Sequence, residues 1–220
     1  MLICIDSILS TTETSEVAAA LAKARFVDGR TTAGWHASSV KDNEQAAPED
    51  PSLARIKGRL ADKLRAHPLF AMAARPRRLS PLIFSRYRSG MAYGAHVDDA
   101  LMGELRTDLS YTLFLAEPSS YEGGELVIES TAGELPVKLQ AGSLVLYPST
   151  SLHRVAPVTS GERLVAVGWV QSQVPDAAAR EILLDLETAK RELFTRDGKS
   201  PTFDLVAKSF ANLLRRWAEA

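Results

Sequence analysis

The stretch YGAHVDD, residues 93–99, sets an imidazole and a carboxylate two positions apart, at His96 and Asp98. In an extended strand, side chains at i and i+2 leave the same face, so both would point inward if Val97 points away. Among the three other histidines, His153 alone falls in the same β-rich region, directly after LVLYPSTSL. Two imidazoles and one carboxylate on one face of an octahedron leave three coordination positions open, a ligand set suited to Fe(II) oxygen chemistry. A string as short as HxD has a competing reading as a capped turn or a hydrogen-bonded core pair.

Arg163 lies ten residues beyond His153 and opens the apolar run RLVAVGWVQ. By strand parity Arg163, Val165, Val167 and Trp169 share one face. An arginine on the ligand-bearing side of a buried strand needs an anion, and its planar fork suits bidentate capture of a carboxylate. An internal salt bridge or an exposed strand end is the alternative for Arg163.

These residues need a scaffold, and the chain changes texture three times. LICI reads as a short edge strand. The alanine-rich run in STTETSEVAAALAKARFVDG, with hydroxyl caps and an early glutamate, predicts a helix that stops near Gly29. The mixed polar segment from Arg30 to Pro51 reads as loop, with Trp35 as its only large apolar anchor, and long loops of this kind often act as lids. Helical spacing returns through Leu53, Ile56, Leu60 and Leu64, and Pro68 ends that helix. From LIFSRY to RLVAVGWVQ eight short β-rich runs follow, with Gly123, Gly124, Gly133, Gly142 and Gly161 at the turns. The pattern predicts a mainly β fold with flanking helices (α+β), a sandwich or barrel. From Pro175 onward two helical runs separated by TRDGKSP predict a C-terminal hairpin. Its stripe through Phe203, Val206, Phe210, Leu213, Leu214 and Trp217 reads as hairpin core, with a homodimer contact as the second reading.

The succession FSRYRSGMAYGAHVDD, RTDLSYTLFL, YEGGELVIE and AGSLVLYPSTSLHRVAPVTSGERLVAVGWVQS resembles the Fe(II)- and 2-oxoglutarate-dependent dioxygenases. More narrowly it is similar to the bacterial PKHD-type hydroxylases, relatives of the prolyl and lysyl hydroxylase domains, from about Leu82 to Ser172. The resemblance implies a double-stranded β-helix, a distorted jelly roll, wrapped by N-terminal helices. It implies His96, Asp98 and His153 as iron ligands and Arg163 as the residue that holds the C5 carboxylate of 2-oxoglutarate. It implies Tyr87 as a hydrogen-bond partner of the same cosubstrate, the more so because Val167 stands where some relatives carry threonine. The activity implied is oxidative decarboxylation of 2-oxoglutarate to succinate and CO2, using O2, coupled to hydroxylation of a substrate C–H bond. L-ascorbate is the implied supporting reductant, and the substrate is a small molecule or a peptidyl residue. Tyr93 and Trp169 are pocket candidates, with plain aromatic core an equal reading for Trp169. Tyr111 and Tyr147 read as packing, Asp99 as facing solvent, and His36 and His67 as surface residues.

The expected organisation is an oxygenase domain over residues 1–175, its jelly-roll core at 78–172, followed by a helical hairpin at 176–220. With 26 basic and 27 acidic residues the net charge is −1, so no global field recruits nucleic acid or an anionic membrane. No stretch approaches the roughly 20 apolar residues of a membrane span. The single cysteine, Cys4, forms no internal disulfide and the N-terminus lacks a basic, apolar leader, which fits the cytoplasm. A cupin-like metal enzyme and a non-catalytic iron-binding or sensing module are the rival functions; the first leaves Arg163 unexplained, and the presence of all three ligands plus the arginine argues against the second.

Overall fold

A computed structural model of the chain describes residues 1–219. The elements run β1 (Ile3–Ile5), α1 (Thr11–Leu21), β2 (Phe26–Asp28), β3 (Lys41–Asp42), β4 (Glu44–Ala46), α2 (Pro51–Ala66) and α3 (Pro68–Ala74). The β-rich part comprises β5 (Pro76–Leu79), β6 (Ile83–Arg88), β7 (Ala92–His96), β8 (Leu101–Met102), β9 (Leu105–Arg106), β10 (Leu109–Phe114) and β11 (Tyr121–Gly123). It continues with β12 (Leu126–Ser130), β13 (Gly133–Val137), β14 (Leu144–Pro148), β15 (His153–Val155) and β16 (Val158–Ser172), and the chain closes with α4 (Ala177–Asp197) and α5 (Pro201–Trp217).

Two sheets face each other. The larger runs β1-β14-β10-β16-β6-β4-β2, with β5 and β11 also paired to β16; the smaller runs β13-β12-β15-β7-β3. This is the double-stranded β-helix expected from the motif order. Strand alternation divides the larger sheet into two chemistries. Leu109, Leu113, Leu144, Leu146, Leu164 and Ala166 point outward into a core shared with Val17, Leu53, Leu60, Leu64 and Phe70 of the N-terminal helices. Phe114, Val145, Tyr147 and Val165 point inward, toward Leu126, Ile128, Val137 and Val155 of the smaller sheet. Each fully buried aliphatic side chain contributes roughly 1.5–3 kcal/mol, so the helices hold the large sheet in place.

The helices start where capping chemistry allows. At α1, Ser10 Oγ accepts from the Glu13 amide at 3.3 Å and Glu13 returns a carboxylate oxygen to the Ser10 amide at 3.0 Å. At α2, Asp50 caps a helix that begins with Pro51. His67 is half-buried and serves as the N-cap of α3, and His36 is exposed. The C-terminal hairpin packs Phe210, Leu213, Leu214 and Trp217 around Val174, Ala179 and Leu183. A buried Arg75–Glu187 ion pair at 2.8 Å ties it to the end of α3.

Two expectations need correction. The helix predicted to reach Gly29 ends at Leu21, and Phe26–Asp28 pairs with β4 as a strand. The segment 30–51, read as loop, carries β3, β4 and two single-turn 3-10 helices, Gly29–Thr32 and Ala37–Val40. Its polar residues form strands because open sheet edges recruit them: β3 pairs with β7 and β4 with β6, so residues 41–46 cross from one sheet to the other and close one side of the barrel. Trp35 is 90% exposed and anchors nothing. None of the described helices is long and apolar enough to cross a membrane.

Candidate active site

His96 and His153 are cross-strand partners in the antiparallel β7–β15 ladder, so both imidazoles leave the same face of the smaller sheet. Each ring is set by a carbonyl two residues upstream: Nδ1 of His96 lies 2.9 Å from Gly94 O and Nδ1 of His153 lies 3.0 Å from Ser151 O. A carbonyl only accepts, so each Nδ1 carries the proton and each Nε2 presents a lone pair. The two Nε2 atoms both stand 3.9 Å from Oδ1 of Asp98. All three candidate ligand atoms fall within 4.8 Å of one another.

Asp98 does not reach this point by strand alternation. β7 ends at His96, and Asp98 sits in the loop beyond it, with Val97 40% exposed. Its orientation comes instead from Ser110 on β10, whose hydroxyl donates to Oδ2 at 2.5 Å, while a 2.7 Å hydrogen bond joins Ser110 to Ser149. Oδ1 is thereby left toward the imidazoles. Burial, followed by the proximity of His153, pulls the His96 pKa down to about 4, so its ring is neutral at pH 7. Two imidazole nitrogens and one carboxylate oxygen, each with its second polar atom already bonded, fit a divalent transition metal. Tyr93 stacks on His96 at 3.6 Å between ring centroids, and Tyr147 meets His153 in a T-shaped arrangement at 5.2 Å between centroids.

The same cavity, about 790 Å³ including its open mouth, is lined by Arg163, Tyr87, Val167 and Trp169. Arg163 is 1% exposed, and its Nε has no hydrogen-bond partner. No acidic group pairs with it among the described residues. Its guanidinium sits 5.1 Å from the Tyr87 ring and 5.6 Å from the Phe114 ring, enclosed by aromatic faces. The internal salt bridge and the exposed strand end, both open from the sequence, are excluded by these contacts. Tyr87 is the cross-strand partner of Arg163 and is itself buried, which raises its hydroxyl pKa and keeps it protonated. Gly124, at φ +67°, makes room here: a Cβ would stand 2.9 Å from Val158 and 3.1 Å from Cδ of Arg163.

A family model, that of the 2OG-Fe(II) oxygenase superfamily, matches residues 82–171. A PKHD-type hydroxylase of Acaryochloris marina is 54% identical over 219 residues, covering 100% of both chains. Another from Gloeothece citriformis is 51% identical over 221 residues, again covering 100% of both. The chain belongs to the PKHD-type hydroxylases. A crystal structure of a Pseudomonas putida prolyl-4-hydroxylase has the same fold, with a TM-score of 0.55 at 21% identity over 78% of this chain and 92% of that one.

As a PKHD-type hydroxylase, the chain is a 2-oxoglutarate-dependent Fe(II) oxygenase. The structure brings His96, Asp98 and His153 together and places Arg163 and Tyr87 in the cavity they border. Tyr93 and Trp169 line that cavity, Tyr111 belongs to the helix-side core, and Asp99 is exposed. Several cavity groups escaped the sequence reading, Ser110, Tyr147 and Lys41 among them. Ser110 was legible by parity, because it shares a face with Thr112 and Phe114. Tyr147, read only as packing, shares a face with Val145. Lys41 had no such signal, since its strand exists only through pairing with β7.

Proposed function

We propose that His96, Asp98 and His153 hold the catalytic Fe(II) and that Arg163, assisted by Tyr87, holds the C5 carboxylate of 2-oxoglutarate. One observation carries this reading: three convergent donor atoms share a cavity with a buried guanidinium that has no acidic partner. An unpaired buried charge is costly, so the fold tolerates Arg163 where an anionic ligand completes it. When bound, the iron and 2-oxoglutarate would supply the oxidising chemistry with O2 as the oxidant, one oxygen atom going to succinate, formed with CO2, and the other to the substrate C–H bond. This chain's residues supply orientation, a counter-charge and a cavity walled by Val167, Tyr93 and Trp169 that excludes water from the reacting centre. Asp98 contributes one negative charge to the ion and leaves room for an anionic chelate, where a third imidazole would contribute none.

We further assign residues 1–175 to the oxygenase unit and 176–220 to an appended hairpin, supported by the family match ending at 171. L-ascorbate as supporting reductant and a cytoplasmic setting belong to the same reading, the latter supported by the free thiol of Cys4. The test is succinate formation from 2-oxoglutarate by protein loaded with Fe(II) under anaerobic conditions and then exposed to air. Wild type forms succinate. His96→Ala forms none, and Arg163→Leu binds iron normally but requires far more 2-oxoglutarate. Loss of iron from Arg163→Leu, or equal turnover in all three proteins, overturns the assignment.

A further inference from the structure

Lys41 is the one cation on the cavity wall that the proposed chemistry does not use. It stands on β3 at the edge of the smaller sheet, on the other sheet from Arg163, and is 6% exposed. Its ammonium donates to Thr32 Oγ1 at 3.0 Å and lies 5.0 Å from the ring centroid of Tyr93, the residue stacked on His96. No carboxylate pairs with it among the described residues. An ammonium has three N–H donors, so two remain without a protein acceptor.

The charges of the site point to what those donors meet. A divalent ion beside Asp98 keeps one positive charge, which the C1 carboxylate of 2-oxoglutarate matches, and the C5 carboxylate matches Arg163. Lys41 is left over. Asp99, the other acid on the wall, is exposed, and Asp28 is 57% exposed beside Arg30, so solvent screens both. The Trp169 indole Nε1, also on the wall, is a buried donor without a partner. Among unpaired acceptors, Asn43 Oδ1 is packed against Gly29, where a Cβ would stand 1.8 Å away.

We propose that Lys41 is a specificity-determining residue that binds a carboxylate group of the molecule to be hydroxylated, so that the substrate class is a carboxylic acid. Thr32 positions the ammonium, and Tyr93 carries it next to the metal-binding imidazole, which puts the anchored acid beside the reacting centre. A single ammonium is a point charge that a carboxylate neutralises, whereas an uncharged amide of the same shape accepts its hydrogen bonds but leaves the buried charge uncompensated, and so binds less tightly. The inference rests on the oxygenase reading above.

The test uses protein loaded with Zn(II), which is redox-inert, and saturated with 2-oxoglutarate. N-acetyl derivatives of the common amino acids and their C-terminal amides are titrated by calorimetry. The expected result is at least one acid that binds at least about tenfold more tightly than its amide. Lys41→Met removes that preference, Lys41→Arg keeps part of it, and the 2-oxoglutarate affinity stays within about twofold in both. If Lys41→Met does not fold, Thr32→Val is expected to weaken the preference by misplacing the ammonium. Equal binding of acids and amides, or no binding acid, overturns the proposal. Loss of 2-oxoglutarate affinity in Lys41→Met also overturns it, because Lys41 then serves the cosubstrate. Failure of the zinc-loaded wild type to take up 2-oxoglutarate at all is a failure of the oxygenase reading instead.

Discussion

The two faces of β10 sit one residue apart in the chain and follow opposite rules. Leu109, Tyr111 and Leu113 face the helices and fill a core in which apolar side chains meet apolar side chains. Ser110 and Thr112, on the other face, are equally buried and polar, and Ser110 bonds the Asp98 carboxylate. The same division runs through β16, where Leu164 and Ala166 pack outward while Arg163 enters the cavity with no anion beside it. One face stabilises the fold. The other holds groups that are costly alone and that the proposed metal and dicarboxylate would satisfy.

Substitutions separate the two faces, beginning with the largest effect. Asp98→Ala is expected to abolish succinate formation and leave substoichiometric iron, as measured by metal analysis; retention of both breaks the division at its centre. Arg163→Met is expected to weaken 2-oxoglutarate binding by about 2–5 kcal/mol, roughly 30- to 5,000-fold by calorimetry, while the metal-free protein melts no lower than wild type. A large loss of stability instead would place Arg163 among the structural residues. Leu113→Ala, on the opposite face, is expected to lower unfolding stability by about 2–5 kcal/mol in urea and leave 2-oxoglutarate affinity unchanged in the folded fraction. Ser110→Ala is expected to weaken metal binding about 10- to 100-fold by competition with a chelator, with little change in melting temperature.

The last effect is a pH dependence, spread over several pH units. His96 is held down to about 4 in the fold, against about 6.5 in an unfolded chain. The unfolded chain therefore takes up the proton first, and the stability of the metal-free protein is complete above pH 6.5. Below that it falls by at most about 1.4 kcal/mol per pH unit until pH 4. Urea midpoints across this range check it, with His96→Gln expected to flatten the slope; an unchanged slope assigns the acid sensitivity to another group.

Much of this division was legible in the chain. The eight β-rich runs became strands at their expected places because period-two alternation over short segments has one burial solution once a core exists. Arg163, Val165 and Val167 faced one way by parity for the same reason. The segment 30–51 was illegible because its strands have no apolar alternation of their own: β3 and β4 form because β7 and β6 offer unpaired edges. The helix from Thr11 overran its true end because Phe26–Asp28 has a partner strand that is remote in sequence.

The amino-acid sequence by itself singled out His96, Asp98, His153 and Arg163 as the candidates for the chemistry, because residue type, spacing and motif order are read along the chain. Only the tertiary structure decided how they meet. Cross-strand pairing set the two imidazoles side by side, Ser110 oriented Asp98 toward them from a loop, and a two-residue edge strand delivered Lys41 to the same cavity. The physical reason is that a side chain's direction follows from its own backbone, whereas its neighbours are fixed by hydrogen bonds between segments far apart in the chain.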